Sequence, residues 1–203
     1  MADTPLSKGR SRRVMLGWMQ NGCSSRSSVG VSDGAENALT LPRELSLATD
    51  GTMRQRYVAE FEQLREGAAH STGPTPFPAA GGSQPVAGAA GAQLEITATI
   101  KFDSTSVFGL SVLSGEVGGV SEHTDIGFDL PNGQAFIDRR NSSANRTDTD
   151  VRAGPMPPTL ASAGVLNLHA YVDHSLVTVI VSARAAALAT LVPWPCDSSG
   201  SYS

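Results

Sequence analysis

The side chains with acid, base or nucleophilic chemistry are few and scattered along the chain. The histidines are His70, His123, His169 and His174, and with only two distant cysteines they complete no zinc-ligand constellation. Asp173-His174-Ser175 sets the three residue types of a nucleophilic triad side by side. Neighbours in a strand or tight turn point in different directions, so adjacency opposes the convergence a triad needs. Asp125, Asp129 and Asp138 are carboxylates of the kind glycosidases use in pairs, about 5 Å apart in the retaining case. Asp125 and Asp129 share one face of a strand but stand four residues apart, too far for that role unless the strand bends. Solvation of a strand edge and a turn accounts for them. No residue receives a catalytic or metal-ligating role, and no cofactor is implied.

Asn141-Ser142-Ser143 and Asn145-Arg146-Thr147 are glycosylation acceptor triplets in a polar loop, which matter only if the chain is secreted. Cys23 and Cys196 fit no metal spacing; they either pair in an oxidising compartment or remain free thiols. Lys and Arg number 15 against 19 Asp and Glu, a formal net charge of -4. A basic stripe for a phosphate backbone is absent, so nucleic acid is not expected as a partner. The one basic cluster, Lys8, Arg10, Arg12 and Arg13, reads as a solvated segment before a strand or a small anion-binding arm. No signal peptide is recognisable, because Ser7 to Arg13 is polar and basic and the apolar stretch Val14 to Met19 is short. Ser175 to Trp194 is interrupted by Thr178, Ser182, Arg184 and Thr190, so it reads as two core strands and not as a membrane span.

These residues must be positioned by short elements. Of 203 residues 21 are Gly and 12 are Pro, while aromatics make up only 5%, which favours many strands and turns over long helices. In residues 1–66, the apolar stretches Val14 to Met19 and Ala38 to Leu47 read as strands around a Ser/Gly loop, Gly22 to Gly34. Asp50-Gly51 is a turn, and Tyr57, Phe61 and Leu64 recur at helical spacing, which predicts a short amphipathic helix. Residues 67–93 contain no Asp, Glu, Lys or Arg and hold Pro74, Pro76, Pro78 and Pro85 among Gly and Ala, the composition of a linker. Residues 94–194 read as seven strands: an alternating one from Leu94 to Phe102, then Val107 to Leu113, Asp125 to Leu130, Gln134 to Asp138, Val165 to Asp173, Leu176 to Ser182 and Ala186 to Val192. An antiparallel β-sandwich follows, with 195–203 as a tail.

Four segments resemble the C-terminal part of glycoside hydrolase family 32, the invertase, fructanase and inulinase family. They are Arg12 to Met19; Ala38 to Leu47 with Asp50-Gly51, Arg54-Gln55-Arg56 and Glu60 to Arg65; Phe136-Ile137-Asp138-Arg139 with Asn141-Ser142-Ser143; and Leu168 to Val177 with Tyr171-Val172-Asp173-His174-Ser175. The resemblance implies an all-β chain, in which remnant strands of a five-bladed β-propeller and a short linking helix precede the sandwich. It also implies retaining chemistry at a β-fructofuranosyl bond of sucrose or a fructan. The family's nucleophile motif Asn-Asp-Pro-Asn-Gly, its Arg-Asp-Pro and its Glu before Cys are absent; Asp129-Leu130-Pro131-Asn132-Gly133 mimics the first, but Leu130 interrupts it.

By this resemblance the chain is the structural tail of a hydrolase, inactive alone, binding sucrose or fructan only with the missing propeller, which docks on an apolar patch of the sandwich. Either it is a piece of a longer enzyme or a free-standing sandwich that lost its catalytic partner. Trp18 and Asn21 would line the sugar pocket of a complete propeller, unless they are a packed Trp and a turn Asn. Thr178 stands where the family commonly has Glu, and Ile180 where it has Phe. The alternative is a non-catalytic carbohydrate-binding sandwich, for which Phe77, Tyr171, Trp194 and Tyr202 are the aromatic platforms on offer, Tyr171 lying on the polar side of its strand.

Overall fold

The computed structural model describes residues 12–20, 37–78, 81–102, 107–142, 151–156, 160, 164–174, 176–181 and 186–191, with backbone only at Gln20, Asn37 and 186–191. Cys23, Cys196, Asn145, Trp194 and Tyr202 lie outside these residues, as do Ser175 and the loop from Gly22 to Gly34. Strands β1 (Arg13–Met15), β2 (Trp18–Gln20), β3 (Asn37–Leu39), β4 (Arg43–Leu47) and β5 (Met53–Tyr57) come first, then a 3-10 helix, Ala59–Leu64. The sandwich follows: β6 (Gln93–Lys101), β7 (Val107–Val117), β8 (Val120–Asp129), β9 (Gln134–Asp138), β10 (Val151–Pro155), β11 (Val165–Asp173), β12 (Leu176–Val181) and β13 (Ala186–Leu191). One of its sheets has the order β10-β9-β8-β7 and the other β13-β12-β11-β6, all neighbours antiparallel. The expected all-β antiparallel sandwich is therefore present.

Side-chain alternation builds the core. On β11, Leu166, Leu168, Ala170 and Val172 point inward between exposed or half-buried neighbours. Ile126 and Phe128 of β8 and Ile137 of β9 meet them from the facing sheet, each fully buried and each contributing about 1.5–3 kcal/mol by leaving water. The strand β12 breaks the alternation, because all six of its residues are buried. Val177, Val179 and Val181 enter the core; Leu176, Thr178 and Ile180 occupy the opposite face. That second face is covered by the N-terminal strands, where Met19, Ala38 and Leu41 pack on Leu176. A third layer thus lies on the outer side of the β12 sheet.

The N-terminal strands are shorter than the sequence predicts. Val14 to Met19 is divided between β1 and β2, and Ala38 to Leu47 between β3 and β4. The breaks coincide in space: Thr40 N–H donates to the Gly17 carbonyl at 2.7 Å, and Gly17 N–H donates to Thr40 Oγ1 at 2.8 Å. There the chain leaves the β2-β3 ribbon for the β1-β4-β5 sheet. The predicted amphipathic helix is also corrected. Tyr57 ends a strand, β5, that turns back on β4 through Asp50-Gly51, where Gly51 has φ 81° and Asp50 Oδ1 accepts from Thr52 N–H. Only a six-residue 3-10 helix remains, and Leu64 is 73% exposed.

Other differences have similar local causes. Strand β10 lacks apolar alternation and joins the sheet through its ladder to β9. The β7-β8 hairpin runs further than its apolar stretches, to a turn at Gly118-Gly119 with φ of 58° and 79°. Residues 67–92 contain no strand or helix among the described residues, but they are anchored. The Phe77 ring lies 5.5 Å from that of Phe108, which is 5.6 Å from both Phe102 and Phe128.

Gly109 and Gly127 face each other across β7 and β8, and a Cβ on either would collide with the backbone carbonyl of the opposite strand, Ile126 or Phe108. Gly127→Ala should therefore destabilise the chain by about 2 kcal/mol, the range of overpacking. A drop in thermal midpoint of roughly 4–8 °C by circular dichroism is the expected result.

Candidate functional site

Three places gather polar or aromatic groups: the seam between the N-terminal strands and the sandwich, a charged corner on β1, β4 and β5, and the outward face of β7 to β10. The seam is built on Tyr57. Its ring stands edge-on to His169 at 4.8 Å and to Tyr171 at 4.6 Å, while Phe61 of the 3-10 helix meets Tyr171 at 5.3 Å. The Tyr57 hydroxyl donates to Thr178 Oγ1 at 2.9 Å inside the protein. Burial pushes the Tyr57 phenol above its ordinary range, so it remains a neutral donor. Tyr171, expected on the polar side of its strand, is thus covered by Tyr57 and Phe61 and is not a free sugar platform.

Beside the rings, Arg65 grips Glu95 with two hydrogen bonds, Nε to Oε2 at 2.6 Å and Nη2 to Oε1 at 2.8 Å. His169 Nε2 lies 3.0 Å from Glu95 Oε1. The Arg65 guanidinium, aided by Tyr171 and His169, holds the Glu95 carboxyl down to about 2. A carboxylate held so low cannot act as a general acid near neutral pH. In the charged corner, Glu44 is buried between Arg12 and Arg56 at 3.2 and 3.1 Å, and Arg12 also pairs with Glu60. Both clusters join segments far apart in sequence, which is a fastening role.

On the outward face, Asp125 and Asp138 are directly opposed across β8 and β9. The comparison of Asp125 with Asp129 along one strand misses this pair, because only the register creates it. Opposed carboxylates have Cβ atoms roughly 5 Å apart, near the retaining-glycosidase spacing. Both carboxylates are engaged by neighbouring side chains. Arg140 Nη2, 2.6 Å from Asp138 Oδ2, lowers the Asp138 pKa. Asp125 accepts from Ser111 Oγ at 2.5 Å and lies 3.6 Å from His123. Asp129 caps its own turn, accepting from Asn132 N–H and Nδ2.

The remaining candidates disperse. Trp18 lies on β2 paired with Leu39, 66% exposed and facing away from Met19. Asn21 is outside the described residues. Asn141 is exposed after β9, its carbonyl accepting from His123 N–H. Asp173 accepts from Gln93, and His174 turns the β11-β12 hairpin with φ 50°. Among the described residues, no group of three or more His, Cys, Asp or Glu is placed to hold a metal ion. The Tyr57–Thr178 contact had one trace in the sequence, a lone hydroxyl in the apolar run of β12.

The sequence description "Glycosyl hydrolases family 32 C terminal" matches residues 60–192. The chain belongs to this family. A levanase from Bacillus subtilis (strain 168) is 33% identical over 179 residues, covering 83% of this chain and 25% of the levanase. The family-32 chain therefore spans about a quarter of that curated relative's length. Among solved structures it is similar to fructan 1-exohydrolase IIa from Cichorium intybus, with TM-score 0.67 and 16% identity over 91% of this chain and 40% of that one. An exo-inulinase from Aspergillus awamori gives TM-score 0.50 and 19% identity over 88% of this chain and 34% of that one. At such identity these likenesses concern the fold.

Two outcomes are expected at the seam. Tyr57→Phe should cost about 1 kcal/mol, and combining it with Thr178→Val should recover most of the loss because no buried hydroxyl is then left alone. Urea unfolding of the single and double variants measures this. Because Glu95 is depressed from 4.5 to about 2 on folding, its contribution is complete above 4.5 and is lost as pH falls toward 2. The thermal midpoint of Glu95→Gln should lie below the parent's at pH 7, with the gap closing across that acid window.

Proposed function

We propose that this chain is the C-terminal region of an enzyme that hydrolyses β-fructofuranosyl bonds in sucrose or fructans. In this reading β1 to β5 and the 3-10 helix end a catalytic propeller, and the sandwich is its structural support. The catalytic carboxylates belong to the propeller, not to these 203 residues. Asp125, Asp129, Asp138 and Glu95 are all committed to local partners.

The supporting observation is a ribbon that is apolar on both faces. Met19 of β2 packs on Leu176, whereas Trp18 and its cross-strand partner Leu39 are 66% and 59% exposed on the opposite side. The paired Leu47 and Met53 are likewise 71% and 50% exposed. A large uncovered apolar surface beside an intact core marks a contact surface. In this reading the apolar patch expected on the sandwich is the Leu176 and Ile180 face of β12, which the N-terminal strands cover, and the exposed residues of those strands face the rest of the propeller. Trp18, with Asn21 close by in sequence, stands at this surface as the candidate to reach a bound sugar.

Fructose release from sucrose, levan and inulin tests the reading. The chain alone should give no turnover, and the longer polypeptide encoded with it should release fructose. Turnover by the chain alone that is lost in Asp125→Asn or Asp138→Asn would overturn it. The isolated Trp18→Ser, Leu39→Ser double variant should stay monomeric to higher concentration than the parent by light scattering, with little change in thermal midpoint.

A further inference from the structure

The outward face of the β10-β9-β8-β7 sheet lies on the far side of the sandwich from the N-terminal strands, and the core does not explain its composition. Three rows of side chains cross it. The middle row, from the registers, is Ala153, Phe136, Gly127 and Gly109: one large ring among the smallest residues. The end of the Phe136 ring, Cζ, lies 3.0 Å from the position a Cβ on Gly127 would take. The tip of the ring therefore covers the glycine, while the side chain as a whole stays half-buried. A flat ring held in this way is the surface on which the C–H face of a sugar packs.

The flanking rows mix polar and apolar residues: Val151, Asp138, Asp125 and Ser111 run along one side of the ring, and Pro155, Gln134, Asp129 and Val107 along the other. Each row is two residues from the ring along its strand, roughly 7 Å, within reach of the hydroxyls of one sugar unit seated on it. Arg140 takes up the acceptor positions of Asp138, whereas Ser111 on Asp125 and Asn132 on Asp129 use fewer than the about four that a carboxylate offers. Asp125 and Asp129, one on each side, are not paired with Arg as Asp138 is, and they disfavour an acidic sugar, so the ligand is a neutral one.

We propose that Phe136 and the polar residues of its flanking rows form an accessory carbohydrate-binding surface that holds a neutral fructan chain. The platform follows from the sheet alone; fructan as its ligand rests on the family reading. Such a surface would keep a polymer near the enzyme without taking part in bond cleavage.

The test is titration of the full chain with short levan and inulin oligosaccharides, followed by calorimetry or NMR, with cello-oligosaccharides for comparison. Millimolar binding of the fructans is expected. Phe136→Leu still covers Gly127 but removes the flat ring; it should weaken binding about tenfold or more while preserving the thermal midpoint. Phe136→Tyr should bind as the parent does. Absence of fructan binding, preference for the cello-oligosaccharides, or full binding by a folded Phe136→Leu would overturn the proposal. Should Phe136→Leu fail to fold, Asp125→Ala is read in its place, and undiminished binding there is equally decisive. Fructose release by the longer enzyme without binding by this chain would sink the platform alone. Binding by the chain with no fructose release by the longer enzyme would sink the family reading alone.

Discussion

Burial of β12 on both faces is the constraint on which the rest of the structure depends. A strand in a two-sheet sandwich normally buries alternate residues, and here Val177, Val179 and Val181 satisfy that pattern. Leu176, Thr178 and Ile180 would face water if the sandwich stood alone. The N-terminal strands supply Met19, Leu41 and Tyr57 to this face, so sandwich and strands stabilise each other. The Tyr57 hydroxyl makes Thr178 tolerable there, because a buried hydroxyl without a partner is costly.

This packing gives the two sheets different roles. The β13-β12-β11-β6 sheet is an inner layer, fastened to the N-terminal strands by the Tyr57 rings and the Arg65–Glu95 pair. The β10-β9-β8-β7 sheet has one face in the core and one mixed outward face that carries Phe136. Among the described residues, more than half of the exposed large apolar side chains, including Trp18, Leu39, Leu47, Met53 and Leu64, lie before residue 65. Structural attachment and solvent-facing chemistry thus lie at opposite sides of the molecule. The carboxylates of the outward face are individually ion-paired or hydrogen-bonded, an arrangement suited to holding hydroxyl groups and poorly suited to proton transfer.

Much of the sandwich was legible because alternation is a local property. Strands β9 and β11 coincide with their apolar patterns, and β6, β12 and β13 nearly do. Strand β10 was not legible, since Val151 to Pro155 has no alternation and is held by backbone pairing to β9. Strand β5 was hidden behind the helical spacing of Tyr57, Phe61 and Leu64, because the fold uses Tyr57 as the end of a strand whose ladder to β4 supplies the stability. The breaks at Gly17 and Thr40 likewise depend on a contact between residues 23 apart in sequence.

For the site, the sequence by itself determined the chemical inventory: no complete set of zinc ligands, none of the family's three catalytic motifs, and four segments in the order of the family. Those are properties of residue type and spacing, which survive without a fold. Only the tertiary structure decided which groups meet. It set Asp125 against Asp138, laid Phe136 over Gly127, and turned Tyr171 from an exposed platform into a half-buried contact of Tyr57. Each of these depends on strand register or layer packing, and a shift of one residue in register would send every such side chain to the other face.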